Sequence, residues 1–264
     1  MKISFIGAGN MGGAIIGGII KAGIAAPSEV KVADKSEARL SEIKDNYGVA
    51  VTVSNKECLD ADILMLCVKP GVIYRVIKEI AADIRPETVV VSIAAGQSLE
   101  KLADEFGKPG IKLVRVMPNT PALVGEGMAA VSVNDNISDE ETQAVLEIFN
   151  CLGRAELVPQ SLMDTVTAVS GSSPAYVFMF IEALADAAVR GGMSRDMAYA
   201  FAAQSVLGSA KMVLDTKKHP AELKDMVCSP GGTTIDAVAV LEEEGMRSAV
   251  MKAVKVCIDK SKAL

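Results

Sequence analysis

"FIGAGNMGGAII", Phe5 to Ile16, decides the fold. Gly7, Gly9 and Gly12 stand in the G-x-G-x-x-G spacing directly after the apolar run "KISFIG" and at the head of a helical pattern, Met11–Ala22. Each glycine has its own reason to be there. Gly7 permits a tight turn, and Gly9 lets backbone approach a pyrophosphate. Gly12 lets helix and strand pack closely, and the helix N-terminus offers unpaired amides to the anion. A merely flexible glycine turn is the plain alternative. The strand, helix and second strand falling in order favour dinucleotide binding.

Working outward, short β-rich runs alternate with helical patterns up to about residue 158. The strands expected are "KISFIG", "EVKVAD", "ADILMLCV", "ETVVVSIA", "IKLVRVMP" and "MAAVSV", with helices such as Met11–Ala22, Ser36–Asn46 and Val72–Ile84 between them. This alternation predicts βαβ units and a mostly parallel, doubly wound α/β sheet of Rossmann type. Strands apolar on both faces suit a sheet covered by helices on both sides. After Pro159 the β signal disappears. Met163–Val169, Ala175–Arg190, Arg195–Thr216, Ala221–Val227, Ile235–Glu244 and Met246–Lys260 all read as helices. The expected division is therefore a dinucleotide-binding domain, 1–158, followed by an all-helical domain, 159–264.

Composition sets limits on partners and surroundings. The 264-residue chain is 50% hydrophobic, with a mean hydropathy of +0.32. The most apolar stretch, Ala175–Ile181, meets Glu182 and then Asp186, well short of the roughly 20 apolar residues of a bilayer span. Helices such as "AYVFMFIEALADAAV" keep only a narrow polar stripe, so burial against another subunit is expected. A net charge of −6 without a basic cluster argues against nucleic acid. The five cysteines form no CxxC pair, so neither a disulfide framework nor a metal site is expected, and a reducing cytoplasm suits them. The N-terminus runs straight into a strand with one Lys, so no signal peptide is expected.

Ligands of such sheets bind beyond the carboxyl ends of the strands. Asp34 closes the second strand about 20 residues beyond the loop, where an acid usually bonds the adenosine ribose of NAD. Lys35 and Ser36 beside it are groups that hold the 2′-phosphate of NADP, so both cofactors stay open. "CVKPG" (67–71), "SIAAG" (92–96) and "MPNTPALVGEG" (117–127) are three more strand ends on the same edge. Each alone is ordinary turn chemistry. Together with the glycine loop they favour a site.

In order and at the expected separations, "FIGAGNM", "VKP", "AAG", "MPNTP", "TAVSGSSPAY" and "LKDMVCSPGGTTI" resemble the pyrroline-5-carboxylate reductases from Phe5 to about Lys260. The resemblance implies a Rossmann domain, a helical domain that interlocks with a partner subunit as a homodimer or an assembly of dimers, and no membrane. It implies reduction of the cyclic imine L-1-pyrroline-5-carboxylate to L-proline by hydride transfer from NADPH or NADH, the last step of proline biosynthesis. By matching positions, Ile6, Gly7, Ala8, Gly9, Asn10, Met11, Lys35, Asn55, Cys67, Val68, Lys69, Pro70, Ala94, Ala95 and Gly96 would line the dinucleotide. The family often has Asn-Arg-Ser where this chain has Asp34-Lys35-Ser36. Lys keeps a charge for the 2′-phosphate but not the planar fork of Arg, so the preference for NADPH is mild. Ser173 stands where the family usually has Gly, which imposes strain only if that position needs a positive φ.

Such a substrate needs its carboxylate held, its imine carbon brought to the nicotinamide and a proton supported at nitrogen. "CSPGGTTID" suits the first task. Ser229, Gly231 and Gly232 precede a helix expected to begin near Thr233, whose amides grip a carboxylate, and Thr234 adds a hydroxyl. A simple N-cap and Pro-Gly turn is the bland alternative. Thr167 is the candidate catalytic hydroxyl near the imine nitrogen, against the alternative of a Thr bonding back to its own helix. The single His, His219, precedes Pro220 and reads as a cap. Two rivals stand further off. A β-hydroxyacid dehydrogenase needs a K-x-x-x-N that the helical half lacks. A non-catalytic dinucleotide sensor needs a degraded second site, whereas both motifs are intact here.

Overall fold

The computed structural model describes residues 1–263. It begins as repeated strand–helix units: β1 (Ile3–Ile6), α1 (Asn10–Ala22), β2 (Val30–Ala33), α2 (Glu37–Tyr47), β3 (Ala50–Thr52), β4 (Ile63–Leu66), α3 (Pro70–Ile80), β5 (Val89–Ser92), α4 (Leu99–Phe106), β6 (Lys112–Met117), β7 (Gly127–Val133), α5 (Asp139–Asn150) and β8 (Gly153–Leu157). The eight strands lie in the order β3-β2-β1-β4-β5-β6-β7-β8, and all pairs are parallel except β6–β7. Chain order reverses direction between β1 and β4, which makes their carboxyl ends the topological switch point.

The central strands are buried on both faces, and β1, β4 and β5 show no accessible position. One core, with Phe5, Ile15, Ile16, Ile19, Val114 and Phe149, joins the sheet to α1 and α5. The other, with Leu64, Leu66, Ile73, Ile77, Leu102 and Leu113, joins it to α3 and α4. Two edge strands lie outside the sequence reading. β3 is three residues long and never fully buried, and β8 carries Arg154 and Glu156 on a largely exposed edge. Such polar edges also discourage strand addition.

The remainder is helical: α6 (Met163–Val166), α7 (Ser173–Arg190), α8 (Arg195–Thr216), α9 (Pro220–Val227), α10 (Thr233–Glu243) and α11 (Met246–Lys262). The helix expected over Met163–Val169 is corrected. After Val166 the backbone widens into a π-helical turn, Thr167–Gly171, closed by Ser172 N–H donating to Thr167 C=O at 2.8 Å. Two hydroxyls compete for helix carbonyls there: Thr167 Oγ1 donates to Met163 C=O at 2.8 Å and Ser170 Oγ to Val166 C=O at 3.1 Å. Such π-turns often mark functional positions. Ser173 opens α7 without strain, because Lys217 alone among the described non-glycine residues has a positive φ.

The described residues form two compact units, Met1–Ser172 with the chain from Cys257 onward, and Ser173–Val256. In the first, Ser261 Oγ donates to Asp164 at 2.7 Å and Ser172 Oγ meets Cys257 Sγ at 3.2 Å. The second has a very small core, in which only Ala185, Ala198 and Ala202 are buried hydrophobics. Phe178 (62% exposed), Met179 (69%), Phe201 (65%) and Met251 (67%) are left open in the single chain. Within the helical run Gln160–Arg190, an 18-residue window with a mean hydropathy of 1.2 is long and apolar enough to cross a bilayer, which the shorter stretch read from sequence did not reveal.

Candidate active site

The glycine loop is held by the two strands that flank β1. Gly7 N–H donates to Ala33 C=O at 2.8 Å, and Cys67 N–H donates to Ile6 C=O at 2.8 Å. Gly7 has φ +105°, and a Cβ there would stand 2.5 Å from the Cys67 carbonyl oxygen. No other residue fits that turn. A Cβ on Gly12 would lie 2.5 Å from the Gly7 carbonyl oxygen, so the helix sits directly on the loop. Gly9 is exposed, and nothing lies within 4 Å of its missing Cβ. No side chain caps α1 and no acid occupies its first turn, whereas Ser36, Ser98 and Ser138 cap α2, α4 and α5. The Gly9–Gly12 amides therefore suit the pyrophosphate of a dinucleotide.

The other candidates follow around the same strand ends. Ile6 and Ala8 are buried beneath the loop, Met11 is half-buried and Asn10 is exposed. Asp34 Oδ2 accepts from Ala8 N–H at 2.7 Å and Oδ1 from Ser36 N–H at 2.9 Å. Lys35 and Ser36 are exposed, and Ser36 Oγ accepts from Arg39 N–H at 3.4 Å as the cap of α2. Asn55 is buried and its amide donates to Glu79 at 2.9 Å, so its side chain ties two protein segments. Cys67 and Val68 follow β4, Lys69 is the extended residue before α3, and Pro70 is its first helical residue. Burial pushes the Cys67 thiol up to about 12, so it stays neutral. Ala94, Ala95 and Gly96 follow β5, with Gly96 at φ +73°.

Three groups near these ends were given no role from sequence, although Asn119 lies inside the 117–127 stretch quoted above. Tyr74 on α3 donates its hydroxyl to Gln97 Oε1, joining the segments that follow β4 and β5. Asn119 donates to Ser170 C=O at 3.0 Å and accepts from Met128 N–H at 2.9 Å, tying the end of β6 to the π-turn that carries Thr167. Arg115 on β6 is 3% exposed; burial lowers its pKa, opposed by Asp164 and Glu100. These contacts span distant segments and leave no local sequence signature.

In the helical unit, Ser229-Pro230-Gly231-Gly232 forms a turn in which Gly232 N–H donates to Ser229 C=O at 3.0 Å and Gly231 has φ +65°. Thr233 and Thr234 open α10, whose N-terminus carries no side-chain cap. The left-handed φ of Gly231 is what calls for glycine in this turn, while a Cβ on Gly232 would stand 2.4 Å from Ser229 Oγ, a side-chain atom that can rotate away. His219 Nδ1 accepts from Ala221 N–H at 3.2 Å and caps α9. Among the described residues, no group of His, Cys, Asp and Glu could hold a metal.

A Rossmann sheet with an uncapped glycine loop, followed by helices that leave their apolar faces open, defines an NAD(P)-dependent oxidoreductase with a helical assembly domain. Residues 160–264 match the family model "pyrroline-5-carboxylate reductase dimerisation", and 2–96 match "NADP oxidoreductase coenzyme F420-dependent". The chain is 52% identical to the pyrroline-5-carboxylate reductase of Escherichia coli (strain K12), across 100% of this chain and 98% of that one. It is also similar to solved pyrroline-5-carboxylate reductases. That of Coxiella burnetii has a TM-score of 0.92 and 33% identity, covering 99% of this chain and 97% of that one. That of Plasmodium falciparum, with NADP bound, has 0.90 and 35%, covering 100% and 97%.

The chain belongs to the pyrroline-5-carboxylate reductase family, and its activity is the final reduction of proline biosynthesis. The dimerisation match places homodimer contacts in the C-terminal helices. The apolar run Gln160–Arg190 is accordingly a core helix of the dimer and not a membrane span.

Gly12→Ala is expected to retain helical circular dichroism yet weaken NADPH binding about tenfold or more, because its methyl would displace the Gly7 carbonyl. Fluorescence titration with NADPH checks this.

Proposed function

We propose that the chain reduces L-1-pyrroline-5-carboxylate with NADPH in preference to NADH, using the α10 N-terminus to hold the substrate carboxylate. The bound nicotinamide supplies the hydride. The residues of this chain have three tasks: gripping the dinucleotide, gripping the acid and supporting charge at the ring nitrogen. The observation that carries the anchoring role is the Ser229–Gly232 turn, which ends in an α10 N-terminus without a cap. Amides there bind anions, and nothing lies within 4 Å of the missing Cβ of Gly231, so a carboxylate can come close. Asp236 lies in the same first turn, so directed amide hydrogen bonds and the hydroxyls of Ser229, Thr233 and Thr234 must do the holding, not net charge. Thr167 is the hydroxyl assigned to the ring nitrogen, supported by its place in the π-turn that Asn119 braces.

For the cofactor, Ile6–Met11 form the pyrophosphate loop. Asp34, Lys35, Ser36 and Asn55 serve the adenosine end, and 67–70 with 94–96 serve the nicotinamide end. Residues 1–158 act as the dinucleotide-binding domain and 159–264 as the substrate-binding and dimerisation domain, with a higher assembly of dimers compatible with the exposed helices. Five free cysteines fit a reducing cytoplasm.

Two outcomes are expected. Thr234→Ala raises the KM for pyrroline-5-carboxylate about tenfold, the scale of a hydrogen bond to a charged group, while leaving the Kd for NADPH unchanged. Steady-state kinetics with titration of NADPH separates the two, and an unchanged KM removes the anchoring role. Lys35→Ala raises the KM for NADPH much more than that for NADH. Equal effects would remove Lys35 from phosphate recognition.

A further inference from the structure

We propose that Arg39, on the first turn of α2, reads the 2′-phosphate of the adenosine ribose, while Asp34 braces the glycine loop. The inference rests on the NADPH reading above and deepens it. From sequence, an acid at the end of β2 opposes a 2′-phosphate by charge and favours a free ribose hydroxyl. In the structure both Asp34 oxygens are engaged by backbone: Oδ2 by Ala8 N–H inside the loop and Oδ1 by Ser36 N–H beyond the strand. Those two bonds tie the carboxylate to β1's loop and to the cap of α2, and part of its charge is met by amide dipoles.

Arg39 is placed by the same short segment. Its N–H caps onto Ser36 Oγ, and its Nη2 donates across to Asn10 Oδ1 at 3.1 Å, 29 residues away. Asn10 is the first residue of α1, so the guanidinium bridges the end of β2 to the glycine loop. Glu42, one turn further along α2, pairs with Nη1 and holds the side chain in place. Asn10, Arg39 and Glu42 all line an open cavity of about 630 Å³, so the group borders free space. Arg has five N–H donors. Only the bonds to Asn10 and Glu42 engage the guanidinium among the described residues, which leaves donors for phosphate oxygens. Lys35, exposed beside it, adds a second cation. The planar fork missing at position 35 is thus supplied from position 39, whose geometry suits bidentate phosphate binding.

The test measures binding of 2′,5′-ADP and 5′-AMP, which differ only in the 2′-phosphate, to the full-length protein by calorimetry. The wild type is expected to bind 2′,5′-ADP more tightly. Arg39→Ala is expected to cut that preference about tenfold while moving the Kd for 5′-AMP less than about twofold. Arg39→Lys, which keeps charge without the fork, should recover only part of it. A preference retained in Arg39→Ala overturns the assignment and leaves the NADPH reading intact. Equal weakening of both ligands also overturns it, by making Arg39 a brace of the loop. A wild type with no preference overturns both readings at once.

Discussion

Everything at the nucleotide edge depends on how closely β1 and β4 bring the chain together at the switch point. The space between the Gly7 α-carbon and the Cys67 carbonyl is too small for a single methyl group. That approach is possible only because the two strands pair in parallel and their following helices leave to opposite sides. Once it is made, α1 must start directly over the sheet, Gly12 must sit on Gly7, and the first amides of α1 must point outward. Anion binding is then a property of the backbone, with no charged side chain in the turn. The cations nearest that edge, Lys35 and Arg39, come from the neighbouring βα unit.

The helical unit faces a different constraint. Its side chains are apolar enough for a core, but three alanines are the only hydrophobics it buries fully within one chain. Apolar surface contributes roughly 25 cal/mol per Å² when removed from water, so open Phe178, Met179, Phe201 and Met251 represent a large unrealised stabilisation. A second copy is the partner that the dimerisation match supplies. Folding of this half and association are therefore linked, and its stability depends on protomer concentration.

The sheet was legible because its central strands are buried on both faces and so read as unbroken apolar runs. Edges were not legible: β3 is three residues long, and β8 alternates charges that serve solvent rather than a core. Helix bounds in the second half came close, with Arg195–Thr216 matching at both ends. The π-turn escaped because Thr and Ser inside a helical pattern look the same whether or not their hydroxyls take the helix carbonyls. The glycine loop and the Ser229–Thr234 turn were visible because glycine is needed there for a reason that leaves a residue-type signature. Tyr74–Gln97, Asn119–Ser170 and Arg39–Asn10 join segments far apart in sequence, and nothing in either partner's neighbourhood announces the other.

The π-turn also limits what Thr167 can do. A hydroxyl has one hydrogen, and that of Thr167 is directed to the Met163 carbonyl. With its hydrogen so placed, the oxygen meets any ring nitrogen through its lone pairs, as an acceptor. It therefore complements the protonated iminium, which carries an N–H, and has nothing to offer a neutral imine whose nitrogen presents only its own lone pair. On the proposed placement of Thr167 at the ring nitrogen, that hydroxyl would favour the protonated iminium and would not deliver the proton itself.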